Sequence, residues 1–274
     1  MTKLLSAAFV RLWKSRLFRV EMLTAMAMTG LHLFVNQFEG VSSIKYMDFP
    51  YFSQFIYNPV IFSAFITLFV GAEYSDGTIR NKLSTGHSRL AVYGANLCVS
   101  VVMSVLFVLV QIAVSLSIGL LVFEPFRLPL DQIVTAAITA CLTAVAAAAI
   151  YTAMSMNNQN KAFSIIIAVA LSFAVMLLVS LIAGVLYAPE MVYEYTEKTA
   201  TGLTYGPLVS NPGYIRGTAR SIAEWVNDIL PNGQLYSVYS YDFDRCARWP
   251  WLSLGVVAVS TTLGYRLFRQ KDIK

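Results

Sequence analysis

Apolar residues fall along this chain in six long runs with short polar segments between most of them. The runs cover residues 18–38, 51–72, 91–123, 132–156, 162–187 and 249–268. Each reaches the roughly 20 residues that a helix needs to cross a hydrocarbon core. They lack the period-two alternation of barrel strands, so they read as helices. The third run is too long for one perpendicular crossing and is expected to tilt or project. The pattern predicts an all-α polytopic fold of six transmembrane helices in a single domain over residues 1–274, with both ends on the same side.

Two further amphipathic elements lie outside the runs. In residues 1–17, Leu4, Leu5, Ala8, Phe9, Leu12 and Trp13 share one helical face, with Lys3, Arg11 and Lys14 off it. This predicts a basic interfacial helix suited to an anionic lipid surface. The first run is long for a signal peptide and lacks a small-residue cleavage pattern, so it is expected to be retained. In residues 188–248, the only large segment between runs, Ile222, Trp225, Val226, Ile229 and Leu230 mark a second amphipathic helix. Arg220 and Glu224 pair on it at i,i+4, and Pro231-Asn232-Gly233 is expected to stop it.

Charge orients the helices. Lys3, Arg11, Lys14, Arg16 and Arg19 precede or open the first run, and Arg266, Arg269, Lys271 and Lys274 follow the last. Arg80, Lys82, Arg89 and Lys161 fall between runs on the same side, whereas the short opposite loops carry only Lys45 and Arg127. The positive-inside rule then makes both termini cytoplasmic in a plasma membrane, with residues 188–248 outside. This distribution explains the net charge of +5 without a nucleic-acid partner. With 57% hydrophobic and 13% charged residues, the chain departs from the soluble norm in both directions.

Some features inside the runs carry structural expectations. Ala136, Ala137, Ala140, Ala144 and Ala146–Ala149 make the fourth run a close-packing helix, against this chain or a second subunit. Asp131 is placed to cap it. Glu21 and His32 fall near the ends of the first run, where Glu21 could reach the interface. Cys98, Cys141 and Cys246 have no metal or disulfide spacing. The sequence contains no phosphate-binding G-x-x-x-x-G-K-[ST] loop, H-E-x-x-H or G-x-S-x-G pattern, and its two histidines fall on opposite sides. No catalytic role or cofactor is therefore expected in this chain.

The segment from Glu73 to Arg89, between the second and third runs, is the most polar of the short loops. Gly77 can end or kink a helix and Thr78 can cap a new one. Ile79 and Leu83 then fall on one face, with Arg80, Asn81 and Lys82 beside them. That is the shape of a short element with two apolar knobs and a polar rim, or of a basic loop that merely obeys the positive-inside rule.

The order of apolar span, Glu73, Gly77-Thr78, a basic and polar stretch, Arg89 and the next span resembles the ABC-2 family of ABC-transporter permeases, especially the small six-span subunits of Gram-positive bacteria. Leu230-Pro231-Asn232-Gly233-Gln234 is similar to a Pro-Gly segment of that family. The resemblance implies a permease subunit of an ATP-driven exporter. Its residues 73–90 would dock on a separate ATP-binding subunit that holds ATP and Mg, through Glu73, Gly77, Thr78, Ile79, Arg80, Asn81, Lys82, Leu83 and Arg89. It also implies a second permease subunit, identical or paralogous, and suggests an amphiphilic substrate such as an antimicrobial peptide or lipid-like compound. Two other classes stay open. A secondary transporter would need a deep charged residue or broken helices in matching halves, neither of which the sequence displays. A non-transporting sensor or immunity component would bind a peptide through residues 188–248.

Overall fold

A computed structural model describes residues 2–38, 45–199 and 202–271 of the chain. Helix α1 (Thr2–Lys14) turns at Ser15 into α2 (Arg16–Phe38), the first span. The second span is made of α3 (Asp48–Ser53) and α4 (Asn58–Ser75), and the short α5 (Thr78–Ser84) follows it. The third span runs from α6 (Arg89–Val114) through a π-helical stretch, Ser115–Gly119, into α7 (Leu120–Val122). Helices α8 (Leu130–Met156) and α9 (Lys161–Leu186) are the fourth and fifth spans. Strands β1 (Met191–Tyr193), β2 (Thr196–Thr199), β3 (Gly202–Tyr205) and β4 (Leu208–Ser210) come next. Then come α10 (Gly217–Ile229), α11 (Pro231–Tyr239), a 3-10 turn at Cys246–Arg248 and α12 (Trp249–Gln270), the sixth span. Among the described residues six helical segments are long and apolar enough to cross a membrane, and the all-α polytopic fold follows.

Helix α8 is the centre of the bundle and packs against α4, α6 and α12. Its alanines explain how three helices gather around one. Ala136, Ala144 and Ala148 are fully buried, and so is most of the run 146–149. Small side chains let backbones approach closely enough for dispersion to add up where no water is expelled. The approach is tightest at Gly264 of α12, where a Cβ would lie 2.5 Å from Ala153 Cβ and 2.4 Å from the Tyr93 hydroxyl. The neighbours of the small-residue span are thus helices of the same chain.

The structure corrects several expectations. The second span is broken, since residues 54–57 form a turn between α3 and α4, but a break in one half alone is not the matched pair that a secondary transporter would need. Its counterpart in the second half, α9, is continuous. Polar side chains serve the break, as backbone freed inside a membrane requires. Gln54 donates to Tyr51 O at 2.9 Å and accepts from the Ser115 hydroxyl at 2.7 Å, and Asn58 donates to Gln111 at 2.8 Å. Ser115 stands at the start of the π-helical stretch, so the irregular turns of spans two and three meet.

Glu21 does not reach the interface. It is fully covered, because Phe18, Glu21, Ala25, Thr29 and Leu33 form one buried stripe at three- and four-residue steps, and α2 packs on α6. Asp131 is not the cap of α8. Pro129, extended at ψ 153°, is the N-cap two residues earlier, and Asp131 sits in the first turn of the helix. Helix α1 forms as predicted, but Leu4, Ala8 and Leu12 are buried in the protein core, and α1 packs on α6. Trp13 is instead exposed. Lys274, counted in the basic tail, lies outside the described residues, as do residues 39–44 of the first loop.

At the end of the bundle opposite the termini, β1–β4 and β2–β3 pair antiparallel as successive sections of one hairpin, which the apolar pattern did not predict. Helix α10 does end before Pro231, yet Pro231-Asn232-Gly233 opens the next helix, with Pro at a position where its missing N–H costs nothing. A Cβ on Gly233 would lie 1.9 Å from Asn227 O, so the two helices touch backbone to backbone. Helix α10 is polar inside and apolar outside. Asp228 is fully buried and accepts from Arg245 Nε at 3.3 Å and from Arg248, while Ile222, Trp225 and Ile229 face away from the bundle.

Candidate functional site

At the end of the bundle that holds both termini, the segment 73–90 is a rigid connector rather than a loose loop. Helix α4 ends at Ser75 with Asp76 as its C-cap, and Gly77 follows with a φ of +65° that suits a residue without a Cβ. Gly77 is the N-cap of α5 and Thr78 its first helical residue, so Thr78 does not cap as predicted. At the other end, Gly86 N donates to Leu83 O at 3.0 Å and His87 N to Lys82 O at 3.2 Å, the paired bonds of a Schellman motif. The Ser88 hydroxyl then caps α6, accepting from Ala91 N at 3.2 Å. The Schellman bonds close the C-terminal end of α5, while its N-cap Gly77 offers no side-chain cap, so this seven-residue helix is held chiefly by its inward face.

One face of α5 is locked inward. Ile79 is buried and Leu83 packs against the same core. The two apolar knobs therefore point into the bundle, because apolar surface next to the span ends gains more by packing there than by facing outward. Arg80, Asn81, Ser84 and Thr85, with Asp76 just before the helix, form the exposed rim.

Glu73 is the hub beneath this connector. Its side chain is entirely covered and takes ion pairs from Arg11 of α1 and Lys82 of α5. Asn96 of α6 donates to its other oxygen at 2.8 Å. A covered carboxylate is tolerable only when paired in this way. Arg11 also donates to Phe69 O and stacks 4.3 Å over the Phe69 ring. Four helices thus meet at one carboxylate. Arg89 serves a different end. It donates to Phe268 O at 2.8 Å and Lys271 O at 2.6 Å, capping the last carbonyls of α12 with a cation.

Of the residues singled out in the sequence, the structure brings Glu73 and Lys82 into contact. It leaves Arg80 and Asn81 outward and sends Arg89 to α12. Arg11 and Asn96 were missed. Both had a readable signal: Arg11 lies off the apolar face of an amphipathic helix, and Asn96 is a lone amide one turn or two into a span. What could not be read was that they converge on Glu73, since 62 residues separate Arg11 from it. On the opposite half, His32 shares a hydrogen bond with the Ser53 hydroxyl at 2.8 Å and tethers the first span to α3. Among the described residues no group of His, Cys, Asp and Glu could hold a metal ion.

Six helices long and apolar enough to cross a membrane, joined between spans two and three by a short polar helix, define a polytopic membrane protein. The family model described as ABC-2 family transporter protein matches residues 4–175, which include most of α1, the Glu73 cluster and α5. The chain belongs to that family, and it is a membrane permease component of an ABC transporter. Permeases of this family generally work with an ATP-binding subunit and are not themselves the catalytic part. A comparison with curated proteins finds no match.

Proposed function

We propose that this chain is the membrane-spanning subunit of an ATP-driven exporter, that α5 receives the stroke of a separate ATP-binding subunit, and that the face holding the termini is cytoplasmic. The observation that carries the reading is the split character of α5. Its exposed rim, Asp76, Arg80, Asn81, Ser84 and Thr85, offers charge and hydrogen-bonding groups to a partner, while its buried side is fixed through Lys82 and Glu73 to α1, α4 and α6. Of the residues first proposed for docking, Arg80 and Asn81 make the contact. Glu73, Gly77, Thr78, Ile79, Lys82 and Leu83 hold α5 in place, and Arg89 anchors the end of α12.

ATP and Mg reside in the partner. Two permease subunits, identical or paralogous, pair with two ATP-binding subunits. When the nucleotide subunits close, α5 moves as a rigid lever, and its ion cluster carries the displacement into three helices at once. That displacement biases an inward-open and an outward-open arrangement, which must differ in their contacts at α5 for ATP to shift them. The break at residues 54–57 gives the second span a joint at which α4 can tilt against α3.

An amphiphilic cargo suits the opposite half of the bundle. A cavity of about 370 Å³ there joins His32, Tyr57, Asn232 and Tyr236 to the apolar Ile56 and Met176. Mixed apolar walls with a few hydrogen-bonding groups are the usual lining for such ligands. The test is ATP-dependent uptake of a labelled amphiphilic peptide by inverted vesicles holding the whole complex. Uptake that persists when the ATP-binding subunit is inactivated, or that is confined to small hydrophilic ions, refutes the reading.

A further inference from the structure

On the terminal side of the bundle, a cavity of about 440 Å³ opens between the α1–α2 junction, the end of α4 and the start of α9. Arg11, Lys14 and Lys161 line it, together with a single carboxylate, Asp76, and the apolar Leu17 and Leu68. The cations come from two elements far apart in the chain, Arg11 and Lys14 from α1 and Lys161 from α9, so they do not merely follow from one basic helix. Arg11 is held in place by Glu73 and by Phe69 O. Lys161 is placed by packing: its stem lies over Gly71, where a Cβ would be 3.1 Å from Lys161 Cγ, so the glycine lets this lysine lie close against α4. Neither Lys14 nor Lys161 has an ion-pair partner among the described residues. Glu73 is already matched by Arg11 and Lys82, which leaves the cavity with surplus positive charge.

We propose that this cavity holds one anionic phospholipid of the adjoining leaflet, its phosphate between Lys14 and Lys161 and its first acyl carbons along Leu17 and Leu68. Basic pockets between transmembrane helices recognise phosphorylated headgroups through such cations, and the apolar wall distinguishes a lipid from free phosphate. The bound lipid fills the space between α1, α4 and α9 beside the Glu73 cluster. It therefore favours the arrangement in which α1 and α5 are locked together. The cytoplasmic identity of this leaflet rests on the orientation proposed above. Lipid binding to the purified chain needs neither that orientation nor an ATPase, so the two proposals fail separately.

The test is native mass spectrometry of the full chain released from detergent with phosphatidylglycerol or phosphatidylcholine. One phosphatidylglycerol per chain is expected to be retained in preference to phosphatidylcholine. Each lysine near an anionic lipid contributes roughly fivefold, so Lys14→Ala with Lys161→Ala lowers that retention about 25-fold. Lys14→Arg with Lys161→Arg keeps it, which separates loss of charge from misfolding. Inorganic phosphate at millimolar concentration is expected to leave the adduct intact. Equal retention of both lipids, an unchanged adduct in the double alanine variant, or displacement by phosphate each overturns the proposal.

Discussion

Replacing Glu73 with Ala tests whether the buried carboxylate is the tie between α5 and the bundle. The change removes the acceptor of Arg11, Lys82 and the Asn96 amide together. Removing one partner of a fully buried ion pair costs about 3–5 kcal/mol, because the other charge is left without compensation. Here the orphaned cations are not fully buried. The side chains of Arg11 and Lys82 are 31% and 15% exposed, so each can turn toward water. Asn96 keeps a bond to Val92 O at 3.2 Å, which limits its loss. The cost therefore falls to about 2–3 kcal/mol. Thermal unfolding in detergent, followed for wild type, Glu73→Ala, Lys82→Ala and the pair, gives a double-mutant cycle. A coupling of about 1–2 kcal/mol is expected. If Glu73→Ala unfolds within about 0.5 kcal/mol of wild type, or if the cycle is additive, the carboxylate does not join these helices.

Other consequences follow from the same packing. Gly264→Leu forces side-chain atoms into the Ala153 and Tyr93 contacts, so α12 separates from α8, and a loss of at least about 1–3 kcal/mol is expected by thermal unfolding. Asp228→Asn takes the charge from between Arg245 and Arg248. It is expected to destabilise the α10–α11 hairpin by about 3 kcal/mol, read as faster hydrogen exchange over residues 217–239 with the spans unaffected. The Tyr187 hydroxyl, half-buried and donating to Asp242 and Ser237 at 3.1 Å, is pushed up from 10.0 to about 12, chiefly by burial. Below pH 10 it is protonated folded or unfolded. Between pH 10 and 12 the unfolded chain loses the proton first, so stability falls as pH rises, and Tyr187→Phe is expected to lessen, by one group's share, the alkaline slope in a pH titration of the unfolding midpoint.

The spans were legible because a membrane imposes a length and a polarity on every helix that crosses it. The same signal hid what was inside them. A run of apolar residues from 51 onward reads as one helix, yet Gln54 and Asn58 mark where it breaks, and the side chains that meet them, Ser115 and Gln111, come from a different span. Glu21 was placed by its distance from a span end, whereas its position on the Phe18–Ala25–Thr29 stripe determines its burial. In the α5 region, the turn was readable from Gly77, whereas the caps were not, since Ser88 rather than Thr78 supplies one. The direction of the helix was not: Ile79 and Leu83 make an apolar face whichever way it turns. The ion cluster shows that Lys82 goes inward, which leaves Arg80 to face outward.

That distinction decides how docking should be probed. A variant at Glu73 weakens the fold and the docking element together, whereas Arg80 is exposed and makes no ion pair among the described residues. The decisive measurement is therefore the recovery of an ATP-binding cassette protein on an affinity-tagged chain purified from its own cells, for wild type and Arg80→Glu, with the unfolding midpoint of each recorded. The account predicts that such a protein copurifies with wild type and that Arg80→Glu lowers its recovery at least about tenfold, equivalent to about 1.4 kcal/mol of lost affinity, with the midpoint unchanged. Recovery unaffected by Arg80→Glu, or no ATP-binding protein on the wild-type chain, contradicts it.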